Sequence, residues 1–306
     1  MTITSNNNYD VAIVGAGPAG LQAALVLSRT RKHIIVFDSP EPPRNHASHG
    51  VHNLLGLDGL LPDEIRERSW SQISVYESAR RIREAVIAVQ PADGGDFALT
   101  GSAGTAVTAR HVVLAVGYRD VYPEVPGFRE CWGSTIIPCP FCDGYENRDR
   151  VWGLVANSEL ALEHMPLIVK HWTTAAKLFL PAHVTLTAAR REVLEQQGIG
   201  VYKGEIVAVH HTHGMVEAVT LTSGEQVDVQ TLWWRPPEAP LPLTQQVIDT
   251  FHLELDSSGF IKTDAFYQTG TPRLWAVGDI KGWAGALGAA QAAGLAATAI
   301  VRDWYA

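Results

Sequence analysis

The sequence predicts an α/β protein made of two Rossmann-like, three-layer ββα nucleotide-binding-type domains, one inserted into the other. Near the N-terminus, the apolar residues 11–14 run into a glycine-rich turn and then into a Leu- and Ala-rich helical pattern. Near the C-terminus, a second short apolar stretch, residues 274–277, ends in Gly278 and Asp279. Helix and strand patterns alternate between these two regions, which is typical of parallel sheets covered by helices.

Composition places the chain among globular proteins. Its 306 residues, 46% of them hydrophobic and 18% charged, suffice for two domains. The first ten residues are polar and no apolar run reaches the roughly 18–20 residues that span a bilayer, so we expect neither a secretory signal nor a membrane segment. A formal net charge of −8 argues against a nucleic-acid partner. Only three cysteines occur, which suits a reducing cytoplasm.

The glycine-rich turn predicts a dinucleotide site. Gly15, Gly17 and Gly20 let the backbone turn tightly and approach a pyrophosphate, which the following helix N-terminus stabilises. The next predicted strand, residues 34–37, ends at Asp38, which is placed to hydrogen-bond a ribose hydroxyl. The alternative is a glycine turn needed only for packing. The order of strand, glycine turn, helix, second strand and acidic residue favours a bound dinucleotide over a turn needed only for packing.

Two cysteines, Cys139 and Cys142, stand two residues apart and are followed directly by Asp143. Such a pair can close a small disulfide ring, and a helix start after it lowers a thiolate pKa through exposed amide N–H groups. A structural zinc site needs two more ligands at matching spacing, which Cys131 and the scattered histidines do not supply. We therefore predict a redox-active pair and no metal.

These motifs and their order resemble the low-molecular-weight thioredoxin reductase family. Its members carry Gly-x-Gly-Pro-Ala-Gly, a strand closing on glycine as at Gly117, Cys-x-x-Cys-Asp-Gly and a terminal Gly-Asp. Pro43-Arg44-Asn45 and Cys-Pro-Phe-Cys-Asp-Gly-Tyr-Glu are similar to the dithiol oxidases that close disulfides in gliotoxin-type and holomycin-type natural products. Cyanobacterial ferredoxin-linked disulfide reductases are similar as well. The resemblance covers nearly the whole chain and implies a homodimer.

The resemblance implies FAD as cofactor and assigns roles by position. Cys142 is expected to face the flavin C4a atom, Cys139 to exchange with the substrate, and Asp143 to donate or accept the proton or to cap the helix. Asn53 rests on matching Val-His-Asn-Leu-Leu-Gly to a Val-Glu-Asn-aromatic-Pro-Gly pattern, and Glu146 is a second candidate for the proton. The residues expected at FAD are Gly15, Gly17, Pro18, Ala19, Gly20, Asp38, Asn45, Asn53, Gly117, Gly278 and Asp279.

The inserted domain departs from the family pattern where NADPH binds. Val155 and Asn157 stand where close backbone approach wants glycine. The next strand, residues 177–180, runs into Pro-Ala-His instead of the paired arginines that hold the 2′-phosphate. Arg190 and Arg191 lie further along, either as a displaced phosphate clamp or as a solvated helix start. We therefore predict that NAD(P)H is not used.

The predicted domain boundaries follow from the insertion of one domain into the other. Proline-rich linkers at 123–127 and 235–242 mark the two crossings. Alternating patterns at 205–211, 215–222 and 226–234 predict short antiparallel strands. The expected domains are residues 1–118 and 243–306 for the two parts of the FAD-binding domain, and 119–242 for the inserted Cys-x-x-Cys domain.

The predicted function is an FAD-dependent dithiol–disulfide oxidoreductase acting on a small molecule or a thioredoxin-like protein. Oxygen or a carrier such as ferredoxin is the expected electron partner. The net charge opposes an acidic carrier, but a basic patch can steer one. An NADPH-dependent reductase and a redox sensor that holds FAD without turnover stay open. The residues of this patch are Arg66, Arg68, Arg80, Arg81 and Arg83.

Overall fold

The computed structural model describes residues 7–304 and divides into two compact units. The first unit comprises the described parts of residues 1–46, 61–119 and 238–306, and the second comprises residues 47–60 and 120–237. Residues 47–60, which the sequence assigned to the first domain, thus cluster with the second unit. Two of their side chains, His52 and Asn53, contact the Cys-x-x-Cys region, as described below.

Seventeen strands lie within residues 7–304, and the site is built from the ends of a few of them. In chain order they are β1 (Asn8–Val14), β2 (Ile34–Phe37), β3 (Ala79–Ile82), β4 (Val86–Pro91), β5 (Phe97–Gly101), β6 (Ala106–Leu114), β7 (Arg119–Asp120), β8 (Ile136–Ile137), β9 (Trp152–Val155), β10 (Ala176–Leu180), β11 (Gly200–Lys203), β12 (Ile206–Thr212), β13 (Met215–Leu221), β14 (Gln226–Asp228), β15 (Thr231–Trp233), β16 (Glu238–Ala239) and β17 (Leu274–Ala276).

Eight α helices accompany these strands in the described part of the chain. They are α1 (Pro18–Arg29), α2 (Pro62–Ile73), α3 (Phe128–Cys131), α4 (Pro140–Asp143), α5 (Glu159–Ile168), α6 (Ala188–Gln196), α7 (Pro242–Phe251) and α8 (Gly285–Asp303). Within residues 7–304, none of them combines the length and apolarity needed to cross a bilayer.

The first unit is built on a seven-stranded sheet in the order β3-β2-β1-β6-β5-β4, with β17 beside β6. Strands β1, β2, β3, β6 and β17 run parallel, whereas β4 and β5 are antiparallel additions. The whole of β2 and residues 11–14 of β1 are buried, as expected for parallel strands covered on both faces. Parallel strands end at one edge, so the segments after β1, β2, β6 and β17 meet there.

The second unit repeats this plan with a five-stranded parallel sheet, β11-β10-β9-β15-β8, and a three-stranded antiparallel sheet, β12-β13-β14. The predicted fold class of two Rossmann-like domains is therefore confirmed. The prediction of one antiparallel strand over 226–234 is wrong in part. Strand β14 pairs with β13, but β15 joins the parallel sheet beside β9. An alternating pattern shows which face is buried, not which sheet a strand joins.

Helix α8 positions the glycine turn of the first unit. Its buried face is almost entirely alanine and shares one apolar core with α1. Small side chains let the two helix backbones approach closely, which fixes the N-terminus of α1 at the edge where β1 ends. The alanines concerned are Ala289, Ala293, Ala296 and Ala297 on α8, with Ala23 and Ala24 on α1.

Candidate active site

The glycine turn of the first unit is built for close backbone approach. Gly15 has φ +107°, and a Cβ there would lie 2.4 Å from the carbonyl oxygen of Ala115, at the end of β6. A Cβ on Gly20 would lie 1.8 Å from the carbonyl oxygen of Gly15. These glycines are thus required by the turn itself. A Cβ on Gly17 would meet no atom of residues 7–304 within 4 Å, so that side of the turn is open.

The N-terminus of α1 faces this open side without a side-chain cap. Gly17 is the N-cap residue, Pro18 opens the helix, and its first turn contains no acid among the described residues. The amide N–H groups of the first turn therefore keep their positive partial charge for an external anion. The turn fits the pyrophosphate of a dinucleotide.

The other predicted cofactor residues of the first unit converge on the same edge. Gly278 has φ +74°, and a Cβ there would lie 2.9 Å from the Cβ of Ala19. A Cβ on Gly117, at φ +71°, would lie 4.0 Å from the Cβ of Asp279. Close approach restricts the side chain at Gly278, and the positive φ favours glycine at both positions. These glycines and Asp279 fit a bound FAD.

Asp279 forms an ion pair with Arg44, which the sequence analysis named only as part of the Pro43-Arg44-Asn45 motif. Arg44 Nη1 lies 3.3 Å from Asp279 Oδ2, and its Nη2 lies 2.8 Å from Glu238 Oε1. The Arg44 guanidinium also stacks 4.6 Å from the ring centroid of Trp283. Burial raises the pKa of Asp279, and the charge of Arg44 opposes this. Asn45, the next residue, is exposed in the turn after Arg44.

Asp38 follows β2 as predicted, but its carboxylate is enclosed by arginines. Its side chain is 1% exposed, Oδ1 accepts from Arg66, and Oδ2 accepts from Arg81 Nε at 2.8 Å and Arg83 Nη1 at 2.7 Å. Burial acts to raise the pKa of Asp38, but Arg81, Arg66 and Arg83 outweigh it and hold the pKa below its ordinary value. Asp38 therefore stays a carboxylate.

The same contacts show how the arginines of the predicted basic patch are bonded. Arg81 also donates to Glu67 through both terminal guanidinium nitrogens, Nη2 at 2.8 Å and Nη1 at 3.2 Å. Arg80 donates to the hydroxyl of Tyr9 at 3.2 Å. Asp38 and Glu67 therefore offset part, but not all, of the positive charge of Arg66, Arg81 and Arg83.

The cysteine pair lies in the second unit at the start of α4. Cys139 is the N-cap residue of this helix, and both cysteines are partly buried. A hydrogen bond from Cys142, together with the backbone N–H groups of Cys142 and Phe141, lowers the pKa of Cys139 to about 7 despite its burial. A thiol with this pKa is partly ionised at neutral pH, so Cys139 can act as a nucleophile. Burial raises the pKa of Cys131 to about 11, which fits a spectator.

Asp143 closes the same helix and has a raised pKa. Burial, assisted by the negative charge of Glu146, raises its pKa to about 6, while His52 acts in the opposite direction. A carboxyl group with this pKa exchanges its proton readily near neutral pH. The structure thus places the predicted acid Asp143 beside the predicted thiols.

Residues 51–60 form a loop that is fastened to this centre. Asn53, at φ +62°, receives support from Asp58, whose Oδ1 accepts from the Asn53 backbone N–H at 2.8 Å. The Asn53 side-chain amide donates to the carbonyl oxygen of Phe141. His52 lies between Asp58 Oδ2 at 3.4 Å and Glu146 Oε1 at 3.5 Å. Sequence reasoning missed His52, although it occupies the glutamate position of the resembled pattern.

The second unit carries a turn equivalent to that of the first, with other residues. Strand β9 extends through Val155, so the positions matching Gly15 and Gly17, counted from strand end and helix N-cap, are Ala156 and Ser158. The expected positions, Val155 and Asn157, are therefore wrong by one residue, because Val155 is still part of strand β9. Neither position carries glycine in either register.

This second turn is closed by its own side chains. Ser158 Oγ caps α5 by accepting from Ala161 N at 3.1 Å, and Glu159 places a negative charge in the first turn. Asn157 donates to the carbonyl of Arg235 at 3.2 Å. The Arg190 guanidinium donates to carbonyl oxygens of α5, at 3.1 Å to Leu162 and 2.5 Å to Glu163. Arg190 thus ties α6 to α5.

Comparison with known proteins places these features in a family. The model of the family "Pyridine nucleotide-disulphide oxidoreductase" matches residues 9–151 and 171–297. Thioredoxin reductase tcpT of Claviceps purpurea is 31% identical over 287 residues, which cover 90% of this chain and 88% of the relative. Thioredoxin reductase aclD of Aspergillus oryzae is 30% identical over 282 residues, covering 89% and 88%.

Solved structures agree with these relatives. The crystal structure of HlmI superposes with a TM-score of 0.89 at 31% identity, covering 99% of this chain and 94% of that one. A putative thioredoxin reductase TrxB from Bacillus anthracis gives a TM-score of 0.88 at 29% identity, covering 97% and 98%. The predicted resemblance to thioredoxin reductase-like flavoproteins is confirmed.

Proposed function

The chain belongs to the pyridine nucleotide-disulphide oxidoreductase family, and on this premise we propose that it is an FAD-dependent dithiol–disulfide oxidoreductase that does not use NAD(P)H. It is a flavoprotein disulfide oxidoreductase, and FAD is its cofactor. The observation that carries the proposal is the Cys139–Cys142 pair at the start of α4, with one low-pKa thiol and Asp143 next to it.

The first unit would hold FAD through the residues that its fold brings together. The turn from Gly15 to Gly20 and the N-terminus of α1 suit the pyrophosphate, and Asp279 suits a polar hydroxyl chain. Asp38 lies at the ribose position, but both of its oxygens already accept from arginines. When bound, the flavin supplies a two-electron exchange with a dithiol or disulfide.

The cysteine pair would exchange with the substrate in two balanced steps. For dithiol oxidation, one substrate thiolate attacks the Cys139–Cys142 disulfide, forms a mixed disulfide with Cys139 and releases the Cys142 thiolate. The second substrate thiolate then attacks the mixed disulfide, closes the substrate disulfide and releases Cys139. Asp143 accepts protons from the incoming thiols, so it must be ionised. Reversal of both steps reduces a disulfide.

We propose oxygen as the final electron acceptor. The overall reaction then converts a dithiol and one O₂ into a disulfide and hydrogen peroxide, which balances two electrons and two protons. The support is the Cys-Pro-Phe-Cys-Asp-Gly-Tyr-Glu sequence, which is similar to that of the dithiol oxidases, together with a net charge of −8 that opposes an acidic carrier such as ferredoxin. Ion pairs of Arg66 and Arg81 with Asp38 and Glu67 offset part of the basic patch that could steer such a carrier.

Independence of NAD(P)H is supported by the second turn. A pyrophosphate there would meet a helix N-terminus already capped by Ser158 and made negative by Glu159. No arginine pair follows β10 among the described residues, since Pro181, Ala182 and His183 come next. The binding energy of a second dinucleotide is therefore lacking.

Anaerobic stopped-flow mixing tests this function. We expect dithiothreitol to bleach the flavin absorbance and NADPH or NADH to leave it unchanged over minutes. Oxygen uptake with dithiothreitol should disappear in Cys139→Ser and in Cys142→Ser, with FAD content unchanged. Rapid bleaching by NADPH contradicts the nucleotide-independent reaction, and bleaching by reduced ferredoxin without oxygen uptake contradicts the oxidase.

A further inference from the structure

His52 lies beside the dithiol centre, which consists of Cys139, Cys142 and Asp143, where the 51–60 loop contacts the segment after α4. Neither the glycine turns nor the cysteine chemistry explains why a histidine stands there. Its imidazole packs over the backbone of Gly50 and Gly59: a Cβ on Gly50 would be 3.1 Å from His52 Nε2, and one on Gly59 would be 3.8 Å from His52 Cε1. The ring is therefore confined, and its side chain is 23% exposed.

Both ring nitrogens of His52 face carboxylates. Nδ1 lies 3.4 Å from Asp58 on its own loop, and Nε2 lies 3.5 Å from Glu146 on the segment after α4. When the ring carries a proton on both nitrogens, its positive charge lies 3.4 Å from the Asp58 carboxylate and 3.5 Å from the Glu146 carboxylate. Glu146 is the residue whose negative charge disfavours ionisation of Asp143, so His52 stands beside the group that it must offset.

We propose that His52 is a positioning residue of the dithiol centre, which holds Glu146 and offsets its negative charge so that Asp143 can be ionised near neutral pH. This inference rests on the proposed function, in which Asp143 accepts protons from substrate thiols. The titratable groups facing the cluster are Asp58 from the loop, Glu146 and Asp143 from the α4 segment, and the Cys139 thiol.

The loop contributes a second fastening that keeps His52 in place. The Asn53 amide donates to Phe141 O, inside the Cys-x-x-Cys sequence, and Val51 pairs with Leu60 across the base of the loop. A change of charge at His52 can therefore be made without releasing the loop from α4. This separates the electrostatic role from a structural one.

The test compares His52→Gln with His52→Lys and Glu146→Gln. Removing the positive charge raises the pKa of Asp143, so the acid limb of the kcat profile for dithiothreitol oxidation moves to higher pH. We expect kcat at pH 6 to fall about two- to fivefold in His52→Gln and to be unchanged at pH 8. His52→Lys restores the wild-type limb, and Glu146→Gln moves the limb to lower pH.

The matched control is His49→Gln on the same loop, whose Nε2 contacts Ser134 Oγ at 2.7 Å and which should leave the limb unchanged. A ¹³C NMR titration of the Asp143 carboxyl, assigned with Asp143→Asn, provides a readout without turnover. An identical Asp143 titration in wild type and His52→Gln overturns the inference. If Asp143 shifts as expected but no variant oxidises dithiols, the proposed function fails and the role of His52 stands.

Discussion

The N-termini of α1 and α5 occupy the same position in two units of one plan, and they differ in what they leave available. In the first unit the N-cap is Gly17, its side is open, and no acid of the described chain enters the first turn. In the second unit Ser158 satisfies an amide N–H and Glu159 adds a negative charge. The same turn can therefore bind a pyrophosphate, as with Gly17 in the first unit, or be closed by its own side chains, as with Ser158 and Glu159 in the second.

The largest expected effect comes from filling the first turn. In Gly20→Val, the new side chain would begin 1.8 Å from the carbonyl oxygen of Gly15, so the turn cannot form. We expect colourless protein without FAD or no soluble protein. The matched change in the second unit, Ala161→Val, should retain full FAD content. Recovery of FAD-loaded Gly20→Val, measured by absorbance after denaturing release, would contradict the need for glycine there.

The next effect concerns Asp38. Replacement by Asn leaves Arg66, Arg81 and Arg83 around a neutral side chain, and breaking a buried ion pair of this kind costs about 3–5 kcal/mol. The folded pKa of Asp38 lies below the ordinary 3.8, so its contribution is present above that pH and is lost only as the pH falls through the lowered value. Urea unfolding of Asp38→Asn should therefore show a larger loss of stability at pH 7 than at pH 3.

Asp143 in the second unit behaves in the opposite way. Its folded pKa is raised to about 6, so protonated Asp143 favours the fold below pH 3.8, and this contribution disappears as the pH rises through 6. Asp143→Asn should thus stabilise the protein by about 1–3 kcal/mol at pH 8 and hardly at all at pH 3.5. The same variant should lose most dithiol oxidation. Equal stability of both proteins across this range would show that Asp143 has an ordinary pKa.

The sequence allowed prediction of the glycine turn of the first unit, the cysteine pair and Asp38, because each is a local pattern next to a strand end. The turn after β9 was predicted one residue too early. The sequence did not predict the arginines around Asp38. Arg81 reaches it only because β3 pairs with β2, placing Arg81 opposite Val36. His52 was missed for the same reason, since Glu146 lies 94 positions further along the chain and the contact depends on how the loop folds.

The smallest effect tests the closed helix end itself. Ser158→Ala removes the oxygen that accepts from Ala161 N, and loss of such a cap costs about 1 kcal/mol. We expect a lower thermal midpoint with unchanged FAD content and dithiol turnover, because on the proposed function the second unit's turn binds no nucleotide. Gly17→Ser is the reciprocal change: it adds a cap to α1, so it should leave the midpoint of the FAD-free protein equal or higher and weaken FAD binding. The comparison fails if Ser158→Ala reduces dithiol turnover, since α5 would then serve a ligand as α1 does.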